Sequence, residues 1–268
     1  MVTLSDNELK MPGRKSSKGN QLKFEKDGIW YKADYLGYEG LAEYVISGLL
    51  AHSDLNRDEY VTYNLDRISY NGQVFNGCAS LDFTDGWQLV TLERLFKQSY
   101  GSGLNHMIYS IEDHTERLEM LVEQVERLTG IEDFGQYMCK VLTVDALFLN
   151  DDRHTHNIAV LTDGQGHYKP SPIFDNGAGL LSDTMLEYPM NRDILELIDR
   201  AQPKIFCDDF AQQLEIAENL YGRTISFDYD YNDISNMVKD ITDYSEDIRQ
   251  RVIEVVMQTR RKYQYLFK

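Results

Sequence analysis

Cysteine, proline and basic charge are all scarce in this chain. Of 268 residues, three are cysteine (Cys78, Cys139 and Cys207) and five are proline. Three widely spaced thiols cannot close a disulfide framework, and no CxxC pair suggests structural zinc, so a reducing, cytoplasmic compartment is the expectation. Lysine and arginine number 27 against 44 acids, a formal net charge of −17. That balance argues against sequence-independent nucleic-acid binding, which needs cations to replace counterions, and equally against adhesion to an anionic membrane. No run reaches roughly eighteen apolar residues, the length that crosses a bilayer, since the stretch 141–149 is interrupted by Thr143 and Asp145. Residues 1–10 lack the apolar segment of a signal peptide. What remains is ordinary globular material. A content of 42% hydrophobic and 26% charged residues sets aside disorder, collagen and coiled coil, and the length allows one large domain or two lobes.

The pattern along the chain changes character once. Residues 11–19 are basic, small and rich in Gly and Ser, and read as a loop. Segments 21–25 and 29–34 flank Asp27-Gly28, and 61–70 and 73–83 flank Asn71-Gly72; both read as hairpins. Between them, Leu41, Ala42, Val45, Ile46, Leu49 and Leu50 recur at helical spacing over 39–51. Beyond a break at 82–87 the chain turns helical. Helices are expected over 111–128, 134–149 (apolar on more than one face, hence buried), 193–200, 208–221 and 245–266. A short hairpin is expected over 158–161 and 167–174. The expected fold is therefore α+β and two-lobed: an antiparallel-sheet N-lobe with one helix over 1–84, and a mainly helical C-lobe over 85–268.

The segment Asn150-Asp151-Asp152-Arg153-His154-Thr155-His156-Asn157 carries the chemistry. A solvated loop would be the bland reading, but the run is bracketed by the apolar stretches LTVDALFL and IAVL. Polar groups held between buried elements must be paired or coordinated. Eighteen residues after Asn157 comes Asp175, in Pro172-Ile173-Phe174-Asp175-Asn176-Gly177. A loop carboxylate can accept a hydroxyl proton, an amide oxygen five residues on can ligate Mg²⁺, and a second carboxylate at a strand end can bridge the ion to a nucleotide's phosphates. Phosphoryl transfer needs little else from a protein.

These residues resemble the atypical catalytic loop of the HipA-like bacterial Ser/Thr kinases and the phosphatidylinositol-kinase-like enzymes. The pattern N-x-D-x-H-x-x-N fits 150–157, and (Y/F)-D-x-(G/S) fits 174–177. The resemblance implies Asp152 as general base, Asn157 and Asp175 as Mg²⁺ ligands, and His154 as a buried residue that stabilises the loop. Lys32, at the end of a strand, corresponds to the lysine that holds nucleotide phosphates, with Glu43 favoured as its partner and Glu39 also open. The stretch from Ser17 to Lys23 is similar to the family's S-x-G-x-Q-x-K loop, which implies Ser17, Gly19, Asn20 and Gln21 around the phosphates of ATP. The resemblance spans about residues 15–181 and points to the compact form, without the extra N-terminal domain of HipA.

The expected activity is transfer of the γ-phosphoryl group of Mg-ATP to Ser or Thr of a protein, with autophosphorylation at Ser16 or Ser17 as a regulatory possibility. A lipid or small-molecule kinase on the same scaffold is one alternative. A non-catalytic nucleotide-binding module, or a toxin-like partner of a small antitoxin, is the other. Several features carry no function. The histidines at 154 and 156 lack a third soft ligand for a transition metal. The eighteen tyrosines are explained by packing. The acidic run 228–233 lacks the Gly and terminal Glu of a calcium loop and reads as solvated.

Overall fold

A computed structural model describes residues 1–10 and 21–268 of the chain. The N-terminal part is a sheet with one helix. Strand β1 (Val2–Thr3) precedes a hairpin of β2 (Lys23–Lys26) and β3 (Ile29–Ala33), followed by α1 (Glu39–Leu50) and a second hairpin of β4 (Asn64–Tyr70) and β5 (Gln73–Leu81). Both hairpins turn where expected. Asp27 and Gly28, and Asn71 and Gly72, hold positive φ, the twist that suits a two-residue connection. The order in the sheet is β1-β4-β5-β3-β2, with β1 parallel to β4. Register places Lys23 directly opposite Lys32. Two like charges side by side on a sheet repel unless a carboxylate lies between them.

After residues 82–87 comes β6 (Gln88–Thr91), then α2 (Leu92–Tyr100), α3 (Leu104–Ile108), α4 (His114–Thr129) and α5 (Phe134–Phe148). Strands β7 (Ala159–Thr162) and β8 (Tyr168–Pro170) complete a three-stranded sheet of order β6-β7-β8. The chain ends in α6 (Ile194–Arg200), α7 (Phe210–Tyr221), α8 (Tyr231–Val238), α9 (Glu246–Lys262) and a 3-10 turn, Gln264–Leu266. The α+β, two-lobed expectation holds. Sequence patterning missed β1, β6, α2, α3 and α8. The last is instructive: in the acidic run 228–233, Asp230 caps α8 through the amides of Asn232 and Asp233, and Asp233 returns a bond to the Asp230 amide. Asp230 and Asp233 thus form a capping box, while Asp228 and Asp230 remain exposed as expected of a solvated run.

The main apolar core is continuous from α1 into the helical body: Leu41, Val45, Ile46 and Leu49 join Phe148, Leu180, Val252 and Val256. Smaller clusters lie under the N-terminal sheet, one around Phe24, Tyr31 and Ile68, another around Val61, Tyr63 and Cys78. Helix α1 is thus seated in the larger body. Its start is also bound to the segment after residue 177: the Tyr38 amide donates to the Ser182 carbonyl at 3.2 Å, and the Tyr38 hydroxyl to the Leu180 carbonyl at 2.6 Å. A Cβ on Gly37 would collide with the Ser182 carbonyl, so only glycine admits this approach.

Candidate active site

Lys32 on β3 points at two carboxylates. Its Nζ lies 2.5 Å from Glu43 Oε1 on α1 and 2.7 Å from Asp175 Oδ1 beyond β8. Glu43 is fully engaged, because its second oxygen accepts the Asn176 amide at 2.9 Å. Glu39 does different work: its carboxylate accepts the amides of Tyr35, Leu36 and Gly37, closing the turn before α1. Of the two glutamates left open by the sequence, Glu43 is the one that meets the lysine. Burial alone would push the Lys32 amine down, but Asp175 and Glu43 outweigh it and hold the amine well above its ordinary value. Burial would likewise push the Asp175 carboxyl up; Lys23, Lys32 and Arg153 overcome that and hold it well below the usual carboxylate range. Lys23 reaches Asp175 Oδ2 at 3.4 Å, so the carboxylate sits between the two lysines that the sheet register sets face to face. Asp175 itself adopts the left-handed backbone conformation (φ 60°), a strained choice for a non-glycine residue.

The loop between α5 and β7 is anchored by every second residue. Asp151, Arg153 and Thr155 are buried, while Asp152, His154 and His156 are half-buried. Asp151 accepts the Tyr188 hydroxyl at 2.5 Å, and Thr155 donates to Glu93 of α2 at 3.2 Å. Arg153 is the hub. Its guanidinium grips Asp145 on the last turn of α5 at 2.9–3.0 Å. It also donates to the carbonyls of Asn157 (3.1 Å) and Phe174 (2.6 Å) and to Asn176 Oδ1 (2.6 Å). One buried cation therefore holds both the residue at the end of the loop and the two neighbours of Asp175. Burial would push the Asp145 carboxyl up, and it remains raised despite Arg153; the guanidinium in turn gains affinity for its proton from Asp145, against the opposing effect of burial.

His154 differs from expectation. The buried loop-stabilising side chain is its neighbour Arg153. The His154 ring is half-buried, meets the His156 ring edge-on at 5.5 Å, and accepts the His156 amide at 3.3 Å. Asp152 turns its Oδ1 to Lys204 Nζ, 2.5 Å away, and its carbonyl accepts the Asn157 side-chain amide at 3.5 Å. Sequence reasoning passed over Arg153, Lys204 and Tyr63, whose hydroxyl lies 3.4 Å from both Lys32 Nζ and the Asp175 amide. Gln21 is half-buried just ahead of β2. The expected phosphate-loop residues Ser17, Gly19 and Asn20, with Ser16, lie outside the described residues. Among the described residues there is no cluster of three or more acidic, His or Cys side chains that could hold a metal ion on protein ligands alone. Mg²⁺ does not require such a cluster, because it binds through one or two protein oxygens and completes its shell with water and phosphate.

No family model matches the sequence, and no curated protein does. Solved structures do match. The proinflammatory kinase CtkA of Helicobacter pylori aligns over 99% of this chain and 96% of its own, at 18% identity and a TM-score of 0.61. HipA of Shewanella oneidensis MR-1, from a toxin–antitoxin complex with HipB and operator DNA, aligns over 95% of this chain at 14% identity and a TM-score of 0.51. The fold is that of the HipA-like kinases. This chain spans 62% of the HipA chain, and at these identities the likeness is one of fold. Lys32, Glu43 and Asp175 meet where the N-terminal sheet, α1 and the segment after β8 come together. Among the described residues no helix is long and apolar enough to cross a membrane.

Proposed function

We propose that this chain is a phosphotransferase that moves the γ-phosphoryl group of ATP, with Mg²⁺, to a Ser or Thr hydroxyl of a protein. The observation that carries the reading is the bridge from Lys32 to Glu43 and Asp175, fixed by Arg153 to the loop that bears Asp152 and Asn157. Lys32 and Lys23 supply two adjacent cations for the phosphates, and Glu43 orients Lys32. Asp152 takes the proton of the acceptor hydroxyl as that oxygen bonds to the γ-phosphorus. The bond to the β,γ-bridging oxygen breaks, and its electron pair leaves on ADP. Asp175 and Asn157 are the residues that would hold Mg²⁺, which when bound neutralises charge developing on the β- and γ-oxygens.

The net charge of −17 favours a basic acceptor protein through electrostatic steering. Autophosphorylation at Ser16 or Ser17 belongs to the same reading, as does a small antitoxin-like partner of the kind found with HipA. The test is transfer of labelled phosphate from Mg-ATP to myelin basic protein and to the chain itself. The wild-type chain labels one or both; Asp152→Ala and Asp175→Ala lose at least about 10²–10⁴-fold, the range of a general base. Full activity in either purified variant overturns the assignment.

A further inference from the structure

The cations around the cleft are unevenly shared. Lys23 and Lys32 both lie on Asp175, and Arg153 is consumed by Asp145, two carbonyls and Asn176. The carboxylate on the acceptor side, Asp152, is served by a residue 52 positions downstream, Lys204, at 2.5 Å. We infer that Lys204 is a catalytic residue of the proposed transfer, one that passes its charge from Asp152 to the incoming phosphoryl group.

The chemistry requires such a handover. As the acceptor oxygen bonds to the γ-phosphorus and the β,γ-bridge bond breaks toward ADP, Asp152 takes the acceptor proton and loses its negative charge. At the same moment a phosphate ester, rich in negative charge, forms next to it. An ammonium already within hydrogen-bond distance of the base follows the negative charge across that gap with a change of side-chain rotamer, as a lysine with three donors on a flexible stem can. Lys23 and Lys32 approach the same phosphates from the donor side, and neither is bonded to Asp152. The backbone that carries Lys204 is held, while its side chain reaches Asp152 from a partly exposed position. The Lys204 carbonyl accepts the Tyr109 hydroxyl at 2.9 Å, and two residues on, Phe206 donates its amide to Gln213 and accepts Arg117. The side chain is 38% exposed, against 12% for Lys32.

This role rests on the phosphoryl-transfer reading, and one set of measurements separates the two. The full chain and its Lys204→Met and Lys204→Arg variants are assayed for transfer from Mg-ATP to myelin basic protein. Binding of ADP, alone and with aluminium fluoride as a mimic of the transferring group, is measured in parallel. We expect Lys204→Met to lower kcat by roughly 100-fold with KM for ATP within about twofold, and to lose most of the extra affinity that aluminium fluoride confers on ADP. Lys204→Arg restores a large part of both. A lysine that only braced the loop would leave the fluoride-dependent affinity intact. A wild-type chain that transfers phosphate, with a Lys204→Met variant equal to it in kcat and in fluoride-dependent binding, overturns the role of Lys204 alone. A wild-type chain that neither transfers phosphate nor binds nucleotide overturns the phosphoryl-transfer reading and this role with it.

Discussion

The two ends of the cleft are built on opposite principles. Around Asp175 everything is over-determined: two lysines, a glutamate bonded through both oxygens, a tyrosine hydroxyl, and a guanidinium that grips the residues on either side. Around Asp152 the carboxylate meets a half-exposed lysine borrowed from a distant loop. The first end is the more buried, with Lys32 12% exposed; the second is more open to solvent, with Lys204 38% exposed.

The strongest way to break this comparison is to attack the hub. Replacing Arg153 with Met leaves Asp145 buried and uncompensated, and should cost about 3–5 kcal/mol in urea denaturation. Lys204→Met, at a half-exposed pair, should cost at most about 1 kcal/mol. Equal losses at the two sites would erase the distinction. A second, smaller effect separates the two glutamates of α1. Glu43→Gln should lower phosphoryl transfer by about 10–100-fold, because Lys32 loses the charge that aims it. Glu39→Gln should spare activity and cost about 1 kcal/mol, because a neutral amide oxygen accepts the turn amides less strongly than a carboxylate does; kinetics and a melting curve on each variant make the check.

A last expected effect is a pH slope. Burial pushes the Asp34 carboxyl up to about 7, raised further by Glu39, although bonds from the Tyr244 hydroxyl and the Gly40 amide work the other way. The folded chain then keeps a proton that the unfolded chain has released, so the contribution of this site to stability is greatest below about pH 4 and falls as pH rises to about 7. Denaturation midpoints at pH 5 and pH 7 should lie closer together in Asp34→Asn than in the wild type, and an unchanged gap refutes the assignment.

Much of this was legible in the sequence, and the rest was hidden for definite reasons. Asp-Gly and Asn-Gly marked both hairpins because positive φ is a local requirement of the turn. Helical spacing from Leu41 to Leu50 marked α1, and the polar loop between two apolar runs marked the candidate site. What hydropathy could not show is the alternation within that loop. Asp151, Arg153 and Thr155 go inward and Asp152, His154 and His156 stay half-exposed, but all six are polar, so a period of two left no trace. That is why His154 was expected to be buried and Arg153 was passed over. Lys204 was invisible for another reason: its partner is 52 residues away, and a lone lysine in a loop has no pattern. Strand β6 pairs with β7 across a long separation, and four residues without strict alternation do not announce a strand.

The way α1 is seated has a mechanical consequence. Tyr38 binds the carbonyls of Leu180 and Ser182, Glu43 binds the Asn176 amide, and the apolar side of α1 shares a core with α5 and α9. Glu43 and Asp175 therefore ride on one frame. Helix α1 is tied just as closely to the sheet, where a Cβ on Gly40 would collide with the Gly77 backbone and the Gly40 amide donates to Asp34, so the strand that carries Lys32 and the acids that receive it are fastened to each other through one helix.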